Sequence, residues 1–432
     1  MSSPVEKISK FLAGGECPNL FGLLLVHLSI FTYSLAFWIQ RPVLSYLSNE
    51  LGGDAVDFGT LESVLSMLAL VGGPVMGRLT DEYGAKNTII ASHIGSFIMY
   101  LLMGIASNYT ILALSRLPAL LQHAMLCSQA AIADLTVEKN RSTAMGRLSL
   151  SYAGGMVIGS FIGGEIGSTL GYQSAALVAA AVTAATIAAI VIFMPHFGTT
   201  APSMSSKETK QAKKTEASTL SALDQIKTFW SVAKTPRVRN LLFMLLPMSI
   251  GIGGFRSMLP LAAEKVFGLV PSSMGKYISF AAFVGLLTNV FIISPVTKSL
   301  GEANAVALSA LVQLIGYSLM SMVSSYEGLM VLTVPMTASS TLLYTLSSSL
   351  MSLAVERNNT ATAIAMSHGL RSFVGIVSPI LGGYLYDTYE FSGVTQVAAI
   401  LAGVTLVVTQ TIAFQSLREL MARKAESSKR QD

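Results

Sequence analysis

Near-continuous apolar runs of about twenty residues recur along the chain, at about 20–40, 58–77, 88–107, 110–133, 145–167, 173–195, 239–262, 276–297, 303–324, 327–352, 362–386 and 393–415. Each is long enough to cross a hydrocarbon core of roughly 30 Å as a helix. Polar residues fall between the runs and do not alternate within them. The pattern therefore predicts helices, because barrel strands would alternate over about ten residues. The expected fold is an all-α membrane protein with twelve transmembrane helices in two six-helix halves.

The connections are short except for one. Residues 197–220 are rich in Ser, Thr and Lys with little to bury. Residues 221–237 recover a helical period, with Leu223, Ile226, Phe229, Trp230 and Val232 on one side, which predicts an interfacial helix. The chain thus reads as an N-tail (1–19), a first half (20–196), a linker with that interfacial helix (197–237), a second half (238–416) and a C-tail (417–432).

The halves also repeat in content. EKNRSTAMGRLSLSYAGGMVIGSFIGG, from Glu138 to Gly164, leads into segment 5, and ERNNTATAIAMSHGLRSFVGIVSPILGG, from Glu356 to Gly383, leads into segment 11. Gly159-Ser160-x-x-Gly163-Gly164 aligns with Ser378-Pro379-x-x-Gly382-Gly383, and duplication followed by divergence explains the match. A weaker echo sets Pro74, Val75 and Leu79 of segment 2 against Pro295, Val296 and Leu300 of segment 8. Parallel repeats of this kind suit a carrier whose halves rock about a site near the midplane.

Composition agrees with the bilayer as solvent. Only 12% of residues are charged and 52% are hydrophobic, against roughly a quarter charged in a soluble domain. The polar N-tail has no apolar stretch followed by a cleavage site, so no signal peptide is expected. Among the connections on one face the only basic residues are Arg41, Lys265 and Lys276, whereas the tails and the remaining connections carry almost all the others. Positive residues stay inside, so both termini are expected to be cytoplasmic. The net charge of +5 then needs no nucleic-acid partner. Cys17 and Cys127 form no disulfide framework, and no Cys/His cluster suggests a metal.

Between segments 2 and 3 the chain reads Gly77-Arg78-Leu79-Thr80-Asp81-Glu82-Tyr83-Gly84-Ala85-Lys86. Gly77 would allow two helices to approach, and Gly84 a tight reversal. Asp81 could sit near the N-terminus of a neighbouring helix, with Arg78 and Lys86 supplying opposite charge, as in a gate latch. Here the chain resembles the major facilitator superfamily, whose signature loop has the form G-x-L-x-D-x-x-G-x-[RK]. Leu112-x-x-x-Arg116 is similar to that family's intramembrane arginine motif, without the glycine expected shortly after it. Ala130 to Thr136, with Glu138, Arg141 and Ala144-Met145-Gly146, looks like the drug–proton antiporter branch. Gly155-x-x-x-Gly159-Ser160-x-x-Gly163-Gly164 resembles that branch's antiporter motif, with Ser160 where proline is usual. Gly72 to Arg78, Ser115 to Pro118 and Met145 to Leu148 look most like the organic cation transporter-like carriers of solute carrier family twenty-two.

The resemblance implies a secondary carrier that moves a small organic solute by alternating access, as a proton-coupled antiporter of organic cations or drug-like compounds. The alternative is a sensor or accessory protein on the same fold without transport of its own. The implied partners are the lipid bilayer, the solute and protons. A monomer is expected, in a plasma or organelle membrane. The implied cavity is lined by segments 1, 4, 7 and 10.

Ionisable groups at membrane depth default to function. Glu62, Arg116, Glu165 and Arg256 fall in the outer third of their segments, and His123 and Arg371 near the middle. Glu62, Arg116, His123 and Glu165 are candidates for proton coupling, with Arg116 expected beside one of the two glutamates. His27, Tyr33, Arg256, Tyr344 and Arg371 are candidates for the substrate cavity. The aromatics Phe31, Tyr33, Trp38 and Tyr344 could hold an organic cation. Gly155, Gly159, Gly163 and Gly164, with Pro379, Gly382 and Gly383, read as hinge and packing positions, segment 5 expected against segment 8 and segment 11 against segment 2. The sequence has no P-loop and no H-E-x-x-H or G-x-S-x-G, so neither ATP-driven transport nor an enzyme is expected, and no cofactor. Asn108-Tyr109-Thr110 is a sequon so close to the membrane that it is expected to stay unmodified.

Overall fold

The computed structural model describes residues 19–136, 138–194, 234–354 and 360–428. The N-tail and nearly all of the linker, including most of the expected interfacial helix, lie outside the described residues. The described chain is all-helical. Helix α1 (Leu20–Gln40) starts where the Asn19 side chain accepts the Gly22 N–H at 2.8 Å. It ends at the expected boundary, where a 3₁₀ turn at Arg41–Val43 leads directly into a short helix, Leu44–Glu50. Helix α2 (Ala55–Tyr83) begins with a capping box between Asp54 and Asp57 and runs six residues past the predicted end, because no breaker occurs before Gly84. Helices α3 (Ala85–Gly104), α5 (Glu138–Leu170), α6 (Tyr172–Phe193), α7 (Pro236–Lys265), α9 (Glu302–Met320) and α10 (Tyr326–Leu353) follow the predicted segments, several with longer ends.

Three segments depart from simple helices. The fourth is broken into α4a (Tyr109–Leu114) and α4b (Ala124–Leu135), separated by a 3₁₀ turn at Leu117–Leu121. Pro118 has no N–H to continue the ladder, so the chain tightens to i→i+3 bonds there. Helix α8 begins at Pro271–Leu287, passes through a π turn at Thr288–Ile292 and resumes at Ile293–Leu300. The Pro295 ring would otherwise meet the Phe291 carbonyl, and the wider turn relieves this. Helices α11 and α12 together span Thr360–Ser428, and the bend between them falls at Glu390.

Among the described residues nine helical stretches are long and apolar enough to cross a membrane. Large apolar side chains such as Ile192, Val331 and Val407 stand exposed on their outer faces, as a hydrocarbon solvent permits.

Packing divides the chain into two compact units, residues 1–210 with 260–283, and residues 211–259 with 284–432. In the first, Leu23, Val26, Ile30, Met76, Ile89, Ile132, Leu148 and Ile190 form the core. In the second, Phe255 stacks on Tyr317 at 5.1 Å and on Phe391 at 5.6 Å, and Gln313 donates to the Met336 carbonyl and Ser339.

The repeat appears in the connections. Gly84, before α3, has φ 82° and ψ 161°; Gly301, before α9, has φ 74° and ψ 163°. Gly171, before α6, has φ 91° and ψ 159°, and Glu390, before α12, has φ 58° and ψ −166°. All four occupy a backbone region that is essentially reserved for glycine. Registering the halves on Gly84 and Gly301 sets Leu79 against Val296, so the echo of Pro74 with Pro295 is out of structural register.

Three of the four glycines of the α5 stripe face α1 in place of α8, and the fourth meets α8 as expected. A Cβ on Gly155, Gly159 or Gly163 would strike the Phe31, Leu35 or Ile39 carbonyl, and only Gly164 meets α8, at the Pro271 carbonyl and Gly275. In α11, Gly382 faces Gly254 and Met258 of α7, while Pro379 and Gly383 are buried. Gly155, Gly159 and Gly163 in the first unit and Gly382 in the second stand on faces turned to the first helix of their own unit.

Candidate functional site

The break in α4 interrupts its ladder of hydrogen bonds, and side chains of α1 and α3 bond to backbone groups there. The Tyr33 hydroxyl donates to the Gln122 carbonyl at 3.0 Å, and the His123 N–H donates to Ser92 Oγ at 2.8 Å. The Gln122 amide donates to Ser96 and Tyr100. Gly72 of α2 and Gly95 of α3 lie against the irregular turn, where a Cβ would meet His123 Nε2 and the Pro118 carbonyl. Irregular backbone at membrane depth survives where protein satisfies it in this way, and broken helices of this kind build transporter sites.

Two histidines line the same polar centre. His93 shares a 2.9 Å hydrogen bond with Ser29 and meets Tyr33 edge-on, and His27 shares one of 2.9 Å with Ser151 of α5. Tyr33, a cavity candidate, and His123, a coupling candidate, thus meet at the break, while His27 bonds to α5. Gln122, Ser92 and Tyr152 belong with them and were not singled out from the sequence. The only signal was Pro118 within an apolar run.

The charges above this centre differ from expectation in their pairing. Glu62 is not joined to Arg116. Arg41 takes it in a two-pronged contact of 2.5 and 3.0 Å, because the continuation of α1 past Gln40 places Arg41 among the helices. The Arg41 guanidinium lies over the Phe37 ring, and Trp38 donates to the Tyr152 hydroxyl at 3.3 Å. Arg116 is buried, and one of its nitrogens touches Met103 Sδ at 3.5 Å. Glu165 likewise has another partner. It accepts from Lys276 at 3.0 Å and from Ser272 at 2.6 Å, both on α8. Ser160, one turn away, contacts Ser279 of α8 at 3.1 Å.

In the second unit Arg371 donates to the Tyr344 carbonyl at 2.7 Å and to Ser347, and its guanidinium covers the Tyr344 ring at 5.5 Å. These two cavity candidates do come together, but the ring face expected to hold an organic cation is already taken by an arginine. Tyr33 is buried, its ring perpendicular to that of His93 at 5.8 Å. Arg256 is exposed on α7.

The expected gate loop is for the most part helix. Gly77 to Tyr83 continue α2, and only Gly84 turns the chain. A Cβ on Gly77 would meet nothing within 4 Å, so no close helix crossing explains that glycine. Arg78 and Asp81 are exposed, and Asp81 sits in the last turn of its own helix, where the dipole disfavours an anion. Lys86 donates to the Val191 carbonyl at the end of α6 at 3.4 Å, a favourable place for a cation. The Asn108 side chain caps α4a by accepting the Ile111 N–H.

The Major Facilitator Superfamily model matches residues 26–323. The chain belongs to this superfamily. It is an integral multi-pass membrane protein and a transporter, not an enzyme. Mouse solute carrier family 22 member 18 is 27% identical over 372 residues, covering 83% of this chain and 89% of its own. Multidrug resistance protein 1 of Bacillus subtilis is 26% identical over 383 residues, covering 88% of this chain and 94% of its own. Among solved structures, the nucleoside transporter NupG superposes with a TM-score of 0.70 at 17% identity, over 92% of this chain and 98% of that one.

Proposed function

We propose that the protein is a secondary active transporter that moves a small organic solute by alternating access, as a proton-coupled antiporter of organic cations or drug-like compounds. It works as a monomer with twelve spans in two six-helix halves, at residues 20–196 and 238–416, and with both termini cytoplasmic. The name of the Bacillus relative supports a drug-like solute. The polar centre at the α4 break, with His27, Tyr33 and His123, and the Arg371–Tyr344 contact form the solute-facing surfaces. Asp81 and Arg78 serve as the latch, since the exposed Asp81 has no stabilising role in its own helix.

The observation that carries the coupling is the Arg41–Glu62 pair, whose side chains keep 21% and 12% of their exposure. A carboxylate at membrane depth that can trade its arginine for a proton is what proton coupling needs. Reconstitution in liposomes with an imposed proton gradient and a panel of cations and anions tests this. Gradient-driven flux is expected, and Glu62→Gln is expected to lose its pH dependence. Full pH dependence in that variant removes Glu62 from the coupling role. Absence of gradient-driven flux for every compound favours the sensor.

A further inference from the structure

The embedded charge cluster of the first half is one negative charge short. Arg41 and Glu62 are joined by both prongs, and Arg116 lies in the electrostatic field of both. Arg116 is 1% exposed, and its Nε and Nη1 meet no acceptor among the described residues. Its contact to Met103 Sδ is to a weak acceptor. Guanidinium groups stay charged at any accessible pH, so two of them against one carboxylate leave a single positive charge in a low-dielectric surrounding. Such a charge is costly unless it is paired. The other nearby carboxylates are engaged elsewhere: Asp54 and Asp57 cap α2, and Glu165 is held by Lys276 and Ser272.

We propose that an acidic group on the transported solute completes this cluster, pairing with Arg41 while Glu62 turns to the donors of Arg116. Arg41 is the point of entry because its side chain keeps partial exposure and that of Arg116 does not. Its planar fork matches a carboxylate or sulfonate at two points. Phe37 holds the guanidinium plane, and Trp38, edge-on to Phe37 at 5.5 Å, adds an aromatic wall for the rest of the solute. The inference rests on the transporter reading above and narrows it: the solute is an acid or a zwitterion, not a cation alone.

A rhodamine dye, taken as its free acid and as its methyl ester, tests the proposal, since the two differ only in the acidic group. The free acid is expected to raise the unfolding temperature of the purified full-length protein more than the ester or sodium sulfate does. In proteoliposomes the ratio of acid flux to ester flux is expected to fall at least tenfold in Arg41→Gln and Arg116→Gln, with Arg116→Lys recovering part of it. Gel filtration removes variants that do not fold, and the protection measured on the wild type does not depend on them. An acid-to-ester ratio equal to wild type in both Gln variants would overturn the proposal. So would equal protection by sodium sulfate, which would make this a site for inorganic anions, or protection by neither dye. Arg41-dependent protection by the acid without flux of either dye would support the anion site and count against the transporter reading alone.

Discussion

Helices α5 and α11 both cross the first helix of their own unit closely, yet they share the small residues of the crossing differently. In the first half the small residues lie on α5: Gly155, Gly159 and Gly163 sit directly against α1 carbonyls, while α1 presents Phe31, Leu35 and Ile39. In the second half both helices contribute small residues. Ser378 of α11 fits against Gly253 of α7, where a Cβ would lie 2.8 Å from its side chain, and Gly254 faces Gly382. The crossing thus recurs in both units while the residues that permit it differ. A close approach needs one thin helix, and either member of the pair can supply it.

The largest effect should come from thickening the thin helix where backbone is the obstacle. Gly163→Ala puts a Cβ into the Ile39 backbone and is expected to lower stability by about 1–3 kcal/mol or more. Gly382→Ala meets the flexible Met258 side chain at 3.0 Å and the Gly254 carbonyl at 3.2 Å, so its loss should be clearly smaller. Thermal unfolding of the two purified variants in one detergent decides this, and equal losses would end the asymmetry.

The next effect lies in the turns that follow the same two helices. Glu390 holds a backbone conformation that Gly171 holds without strain. Glu390→Gly is therefore expected to stabilise by about 1 kcal/mol and Gly171→Glu to destabilise by at least as much. An unfolding temperature that falls for Glu390→Gly would show that the side chain, not the backbone, matters there.

The smallest effects belong to the contacts between α5 and α8. Ser160→Ala removes one hydrogen bond to Ser279, worth about 1 kcal/mol. The Glu165–Lys276 pair is about half exposed, so Glu165→Gln should move the unfolding temperature least, and high salt should erase the difference. A Glu165→Gln loss that matches Gly163→Ala would shift the weight of the first half from the α1 crossing to the α8 contact.

The helices were legible because a twenty-residue apolar run tolerates almost any local detail, and Gly84 announced its turn. The irregularities were harder to read. Pro118 was visible, but a proline in a run can bend, break or be absorbed, and the outcome depends on Tyr33 and Ser92 from other helices. Arg41 follows the end of the first apolar run, and nothing in its position marks it, ahead of Arg116, as the partner of Glu62. The turn at Glu390 had no glycine to mark it. The stripe of α5 was recognised as a packing face, but sequence spacing gives the face and not the neighbour.

The break in α4 also bears on how the chain is assembled. A membrane helix normally satisfies its own backbone as soon as it leaves the translocon. This one leans on its neighbours: the Gln122 carbonyl accepts from Tyr33 of α1, and the His123 N–H is shared between the Leu121 carbonyl and Ser92 of α3, while Arg116 weakens its partition into lipid. Segment 4 must therefore enter as a provisional span and be completed by helices already in place. Its maturation is a tertiary event, and a ribosome-bound intermediate that stops after segment 4 should hold it only as firmly as α1 and α3 are already docked.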